Sequence, residues 1–244
     1  MNIPPIIPIY FFYGLAFFSM GLLVMLEGGR SSDARLRRAL RPLAAFGLVH
    51  AANEWLEMFD VIASQGGHIT PDWLSGVRLA MLAFSFISLA AFGSYLLAVS
   101  LKAWRLILLV PLGLEGIWVF GLIVLKGHYS LPILWDVSDV WTRYSLAAPA
   151  ALLAAIGLVI QQRVFRQAGL TSFGRDALWA AVAFSWYGLV GQLFARYSPL
   201  PPSNIINETL FNVLFGIPVQ LFRAMMAGLA AFFVIRFLRA FQVE

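Results

Sequence analysis

The sequence contains no cysteine and little charge. Its 244 residues therefore hold no disulfide, no thiolate-bound iron–sulfur cluster and no thiol nucleophile. Asp, Glu, Lys and Arg make up 12% of the chain, whereas a soluble globular protein carries about one quarter. Catalytic signatures are missing too. There is no His-Glu-x-x-His helix, no Gly-x-Ser-x-Gly elbow and no P-loop. Gly28-Gly29 and Gly66-Gly67 are loop glycines without the flanking pattern of a phosphate cradle. Lys102 and Lys126 fall at the ends of apolar segments, so no lysine is placed to carry a retinal Schiff base. Neither an internal repeat nor a low-complexity tract is present.

What the chain has in quantity is apolar surface. Hydrophobic residues account for 61%, and the mean hydropathy is +0.82. Such a composition cannot cover itself with polar groups, so the bilayer is the expected solvent. A hydrocarbon core needs roughly 20 apolar residues per helix, and lipid forces each crossing segment to satisfy its own backbone. Seven segments qualify: 6–27, 40–62, 74–100, 105–125, 141–162, 177–195 and 214–238. The expected fold is an all-α membrane protein, one domain of seven transmembrane helices over 1–244. The N-terminus lacks a basic region and a small-residue cleavage site, so residues 6–26 read as a first span and not as a signal peptide.

Arginine distribution sets an orientation. Arg30, Arg35, Arg37, Arg38, Arg41, Lys102, Arg105, Arg163, Arg166, Arg175, Arg236 and Arg239 would share one side, twelve of the 17 basic residues. The positive-inside rule then puts the N-terminus outside and the C-terminus in the cytoplasm. The same distribution explains the pI of about 9.9 without nucleic acid. The expected location is a bacterial inner membrane, with multiple crossings. Gly66-Gly67, Pro71, Pro132 and Pro199-Leu200-Pro201-Pro202 read as breaks between helices. Residues 205–215 are apolar enough for a short interfacial helix. Asn207-Glu208-Thr209 has the form of a glycosylation sequon. Trp73, Trp135, Trp141 and Tyr144 fall near the outer boundary.

The second segment breaks the apolar pattern. His50, Asn53, Glu54 and Glu57 are spaced three, four and seven apart, on one helical face. Ionisable side chains are expensive in a bilayer and mark functional positions. At overlapping depths lie Arg78, Glu115, Gln220 and Arg223, with Tyr187 and Gln192 on the sixth segment. These residues suggest an outward-facing pocket for a small polar or anionic ligand, since arginine presents a fork suited to carboxylate or phosphate. The alternative is a set of register-fixing ion pairs, Glu54 with Arg223 and Glu57 with Arg78. Arg143 and Asp60 read as boundary residues that reach toward the headgroups. His50 has three open uses: a satisfied core histidine, a proton-sensing group, or a haem or metal ligand. A haem would need a Met ligand or a second protomer, because His68 and His128 fall in outer loops. No metal cluster is evident and no cofactor is expected.

Aromatic residues make up 15%. Phe11, Phe12, Tyr13, Phe84, Phe86 and Phe92 read as packing or lipid contacts. Gly14, Gly21, Gly93 and the run 147–155 permit close helix approach, within the chain or in a homodimer. The C-terminal stretch 232–244 stays helix-compatible without a capping glycine or a proline.

Three passages carry a resemblance. They are Tyr10-Phe11-Phe12-Tyr13-Gly14-Leu15-Ala16-Phe17-Phe18-Ser19-Met20-Gly21 before the Arg-rich loop, His50-Ala51-Ala52-Asn53-Glu54-Trp55, and Gly216-Ile217-Pro218-Val219-Gln220-Leu221-Phe222-Arg223-Ala224. Together they resemble the N-terminal multi-span sensory region of bacterial membrane histidine kinases and diguanylate cyclases. The resemblance implies a sensor whose last span continues past Glu244 into a cytoplasmic signalling domain, as in two-component systems. Beside the sensor stand a haem-binding or electron-transfer subunit, a small transporter, and an assembly subunit of a membrane complex.

Overall fold

The computed structural model describes residues 5–30 and 34–238. The expected helical exit beyond Leu238, with Arg239 and Glu244, lies outside the described residues. Among those described there are helices and no strands. We number them α1 (Ile6–Arg30), α2 (Ala34–Gln65), α3 (Asp72–Leu101), α4 (Leu106–Lys126), α5 (Leu131–Gln167), α6 (Thr171–Leu193), α7 (Glu208–Phe215) and α8 (Val219–Leu238).

Five of them, α1, α3, α4, α5 and α8, are long and apolar enough to cross a membrane. Seven were expected, and five meet that condition. The two long helices that fall short are α2 and α6. Arginines and the polar stripe dilute α2, and Arg175, Asp176, Tyr187 and Gln192 dilute α6. The expectation that Pro132 breaks the chain is also corrected. Pro132 sits in the first turn of α5, where a missing N–H costs nothing. The helix therefore begins at Leu131 and takes in ten residues read as loop. At the other end, Gly216 caps α7 in the left-handed region (φ 70°), Pro218 follows, and α8 starts at Val219. Where a short helix was expected, near 205–215, the chain forms α7. Asn207 serves as its N-cap, with Oδ1 accepting from Thr209 N (3.1 Å) and Leu210 N (3.2 Å).

Small residues set the helix spacing. A Cβ on Gly47 would lie 2.8 Å from Gly21 Cα, and one on Gly93 would lie 2.5 Å from the Leu153 carbonyl carbon. Thus α1 closes on α2, and α3 on α5, at distances no side chain would allow. The alanines at 147, 150, 151 and 154 are fully buried, with Ala154 beside Gly93 and Ala151 facing Gly188 of α6. α6 packs on α5 and α8, and α8 also packs on α1. Phe17, Phe46, Phe86, Phe184, Tyr13 and Tyr187 fill the centre. α4 is peripheral, packed on α3 and α5 and held there by two tryptophans. Trp118 Nε1 donates to Thr142 Oγ1 (2.8 Å), and Trp141 Nε1 donates to the Trp118 carbonyl (3.0 Å).

α5 carries one irregularity. Residues Arg143–Ala147 form a π-helical turn, with Ala148 N–H bonded to the Arg143 carbonyl. Pro149 follows directly, and its missing N–H and ring exclude the regular bond to the Ser145 carbonyl. The wider turn accommodates it, and Arg143 stands at its start.

Candidate functional site

The polar stripe of α2 is buried along its whole length: His50, Asn53, Glu54 and Glu57 all face the bundle. It touches two connected groups of side chains, one neutral and one charged.

The neutral group surrounds His50. Its Nδ1 lies 3.0 Å from Ser85 Oγ on α3, and its Nε2 lies 2.8 Å from the Tyr187 hydroxyl on α6. Tyr187 is 2.7 Å from the Tyr13 hydroxyl on α1. Ser85 Oγ already donates to the Leu82 carbonyl at 2.7 Å, so it accepts from His50 Nδ1–H. That assignment leaves Nε2 as the acceptor of the Tyr187 hydroxyl, and Tyr187 as the acceptor of Tyr13. One tautomer thus satisfies the whole relay, from Tyr13 through Tyr187 and His50 to Ser85. Glu54 Oε1 stands 3.4 Å from His50 Nε2, and Asn53 Nδ2 donates to it at 3.5 Å. Phe17, Phe46 and Phe86 enclose the ring. Of the three uses left open for His50, the geometry fits a satisfied core histidine. A metal at either ring nitrogen would have to displace a hydrogen bond. Among the described residues, no three His, Asp or Glu side chains converge as metal ligands.

The charged group begins one turn further along α2. Glu57 pairs with Arg78 of α3, and Arg78 Nη1 also reaches Asp60 Oδ2 at 2.9 Å. Asp60 in turn accepts from Thr70 in the following loop. Arg196, in the loop after α6, closes over this group. Its guanidinium bonds Glu57 Oε1 (3.2 Å) and Asp136 Oδ1 (3.0 Å) and approaches Asp139 Oδ2 (3.6 Å). The Asp139 carboxylate, with Glu57 behind it, raises the pKa of Arg196 above its already high ordinary value, against the opposing effect of burial. Arg143 grips Asp139 with two nitrogens, at 2.8 and 3.3 Å, and Gln192 of α6 at 3.1 Å. Gln192 donates to the Tyr187 carbonyl at 3.5 Å, which joins the charged group to the neutral one.

These residues enclose a small cavity of about 50 Å³, lined by Asn53, Glu57, Ser75, Arg78, Leu79, Leu82, Trp135, Asp139 and Arg196. That volume holds a few heavy atoms, since a water takes about 30 Å³ of liquid. Arg78 Nε is buried there without a hydrogen-bond partner, an unusual cost for a charged donor. Four carboxylates, Glu57, Asp60, Asp136 and Asp139, face three guanidiniums, so the cavity is close to electrically balanced.

The sequence-based site is partly reassembled by the fold. His50, Asn53, Glu54, Glu57 and Arg78 come together, and the Glu57–Arg78 pair is present. The Glu54–Arg223 pair is corrected. Arg223 of α8 turns to the end of α6, donating from Nε to the Gly191 carbonyl (2.6 Å) and from Nη2 to the Phe194 carbonyl (3.2 Å). Helix C-terminal carbonyls have no intrahelical partner, and the positive charge suits that end of the dipole. Gln220 binds Glu208 of α7 at 3.0 Å, away from the cavity. Glu115, half-buried on peripheral α4, joins neither group. Arg143 and Asp60 are corrected as well: both are network members and not headgroup-seeking boundary residues.

Asp136 and Asp139 were missed because residues 131–140 read as loop. Their spacing with Arg143, three and seven residues, is a helical stripe that could have revealed them. Tyr13 was missed among the aromatics, which gave no sign of a polar partner. Comparison with protein-family models, with characterised proteins and with solved structures finds no match for this chain.

Proposed function

We propose that this chain is a membrane-embedded signal-input module. A small polar species enters the cavity roofed by Arg196, and the change passes along α6 to α8. The observation that carries the reading is the buried, unpartnered Nε–H of Arg78 at the cavity wall. A donor of that kind is completed by a small acceptor, anionic or neutral. From there, side chains run without a gap through Glu57, Arg196, Asp139 and Arg143 to Gln192. Gln192 is next to Gly191, whose carbonyl receives Arg223 of α8. The resemblance of the three sequence passages to sensory regions of histidine kinases and diguanylate cyclases points the same way. On this reading α8 hands the signal to a cytoplasmic domain after Glu244, within a homodimer in a bacterial inner membrane.

The reading includes the two helices that lack span-like apolarity. His50, Asn53, Glu54 and Glu57 of α2 and Asp176, Tyr187 and Gln192 of α6 face the bundle and not lipid, and the exposed polar residues of both helices lie toward their ends. Both therefore cross with the other five, giving seven passes with the N-terminus outside and the C-terminus inside, in keeping with the arginine distribution.

Trp135 lines the cavity and donates to Asp72 Oδ1 at 2.9 Å, so its emission reports occupancy. Purified protein is titrated with formate and, separately, with neutral formamide. The expected result is a saturable emission change that disappears in Trp135→Phe. It also disappears in Arg78→Lys, which keeps the pair with Glu57 and removes the Nε donor. No saturable response to either probe, or an unaltered response in Arg78→Lys, contradicts the proposed site.

A further inference from the structure

A second opening lies at the other end of the bundle, between α1 and the start of α2. Its volume is about 380 Å³, and it is lined by Val24, Met25 and Gly28 of α1 and by Arg37, Leu40, Arg41, Ala44, Ala45 and Leu48 of α2. We infer that this groove binds one anionic phospholipid, its phosphate on Arg37 and Arg41 and one acyl chain along Ala44, Ala45 and Leu48.

Three observations converge on that occupant. The first is size: about 300 Å³ is where pockets begin to hold a sizeable ligand. The second is the order of the lining. From Arg37 to Leu48 the groove runs roughly 16 Å along α2, at about 1.5 Å per residue. Both arginines stand at the end nearest the α1–α2 loop, and every residue beyond Arg41 is apolar. A phospholipid has that sequence of charge and hydrocarbon. The third is position. Val24, Met25 and Gly28 belong to the last two turns of the α1 segment that is apolar enough to span, which ends at Gly28. The charged end of the groove is thus level with the edge of the hydrocarbon region and the rest is level with the chains.

Arg37 and Arg41 are four apart and share one face of α2. Arg41 is exposed, while Leu40 between them is buried against Gly28, where a Cβ would lie 3.3 Å from Leu40 Cβ. Two guanidiniums on one side of an apolar slot distinguish an anionic head from a zwitterionic one, because each adds attraction to negative lipid and neither gains from a choline. An extended peptide would need polar partners for its backbone, and beyond Arg41 the groove has no polar side chain to offer.

The test uses the full chain in detergent, supplied with equal amounts of phosphatidylglycerol and phosphatidylcholine and examined by native mass spectrometry. The expected result is one retained phosphatidylglycerol, preferred by about fivefold, as the one exposed arginine, Arg41, would give, Arg37 being already engaged within the chain. Arg37→Gln with Arg41→Gln removes the preference, and the exposed Arg41→Gln alone reduces it, which guards against a misfolded double variant. Ala45→Phe fills the apolar part and abolishes retention of both lipids. Three results overturn the inference: equal retention of the two lipids by the native chain, an unchanged preference in the double variant, or displacement of the lipid by inorganic phosphate alone. Loss of a dimer in Ala45→Phe without any lipid adduct in the native chain would assign the groove to a second copy and overturn it as well.

Discussion

Two arginines in the charged group do different work despite sharing Asp139. Arg143 is buried, with two bonds to Asp139 and one to Gln192. Arg196 is about one third exposed; when it is removed Glu57 and Asp139 each keep another arginine, and its nearest partner, Asp136, is about half exposed to solvent. Breaking a buried pair from one side costs about 3–5 kcal/mol, whereas a partly solvated bridge contributes roughly 0–1 kcal/mol. Thermal unfolding in detergent should therefore place Arg143→Met well below Arg196→Ala in stability. Equal losses would mean that Arg143 is not the anchor of the group. The stripe on α2 was legible at this scale, because four polar residues at helical spacing stand out from an apolar background. The partners of Glu54 and Arg223 were not legible. Matching depth brings residues to the same level, but azimuth decides which of them meet, and sequence spacing says nothing of azimuth between helices.

Among the elements, the close seams matter more than the large side chains. Gly93 of α3 faces backbone of α5 at Leu153, so even one methyl group has nowhere to go. Gly93→Val should force the helices apart and destabilise the bundle by about 1–3 kcal/mol, read as a lower unfolding temperature. An unchanged unfolding temperature would show that this seam yields freely. Gly113 on α4, with open space around it, serves as the control position. Sequence reading found these seams, since glycine and alanine within an apolar segment have few other uses. It mistook the start of α5, because proline ends helices and begins them with equal ease. That one boundary removed Asp136 and Asp139 from view and made Arg143 look like a residue at the surface.

For the whole molecule, the number of crossings rests on α2 and α6, whose central polar residues are buried in the bundle. The mean apolarity of a helix counts its buried polar residues along with the face that would meet lipid. That is why five helices pass and two that share the same bundle do not. The absence of native cysteine gives a direct check. Ile69→Cys lies in the loop between α2 and α3, and Gln167→Cys at the end of α5. With seven passes and the N-terminus outside, a membrane-impermeant maleimide labels Ile69→Cys on intact cells and labels Gln167→Cys only after lysis. Labelling of both on intact cells, or the reverse pattern, contradicts the topology.

On the proposed function, occupancy of the cavity beneath Arg196 moves α8 against α6. Spin labels at the exposed positions Leu178→Cys on α6 and Leu229→Cys on α8 measure that distance by pulsed electron–electron resonance. Saturating formate or formamide, at concentrations where Trp135 responds, is expected to shift the distance distribution. Arg78→Lys is expected to abolish the shift. A full Trp135 response with an unmoved distribution would contradict the proposed function and leave the cavity without a route to the output helix.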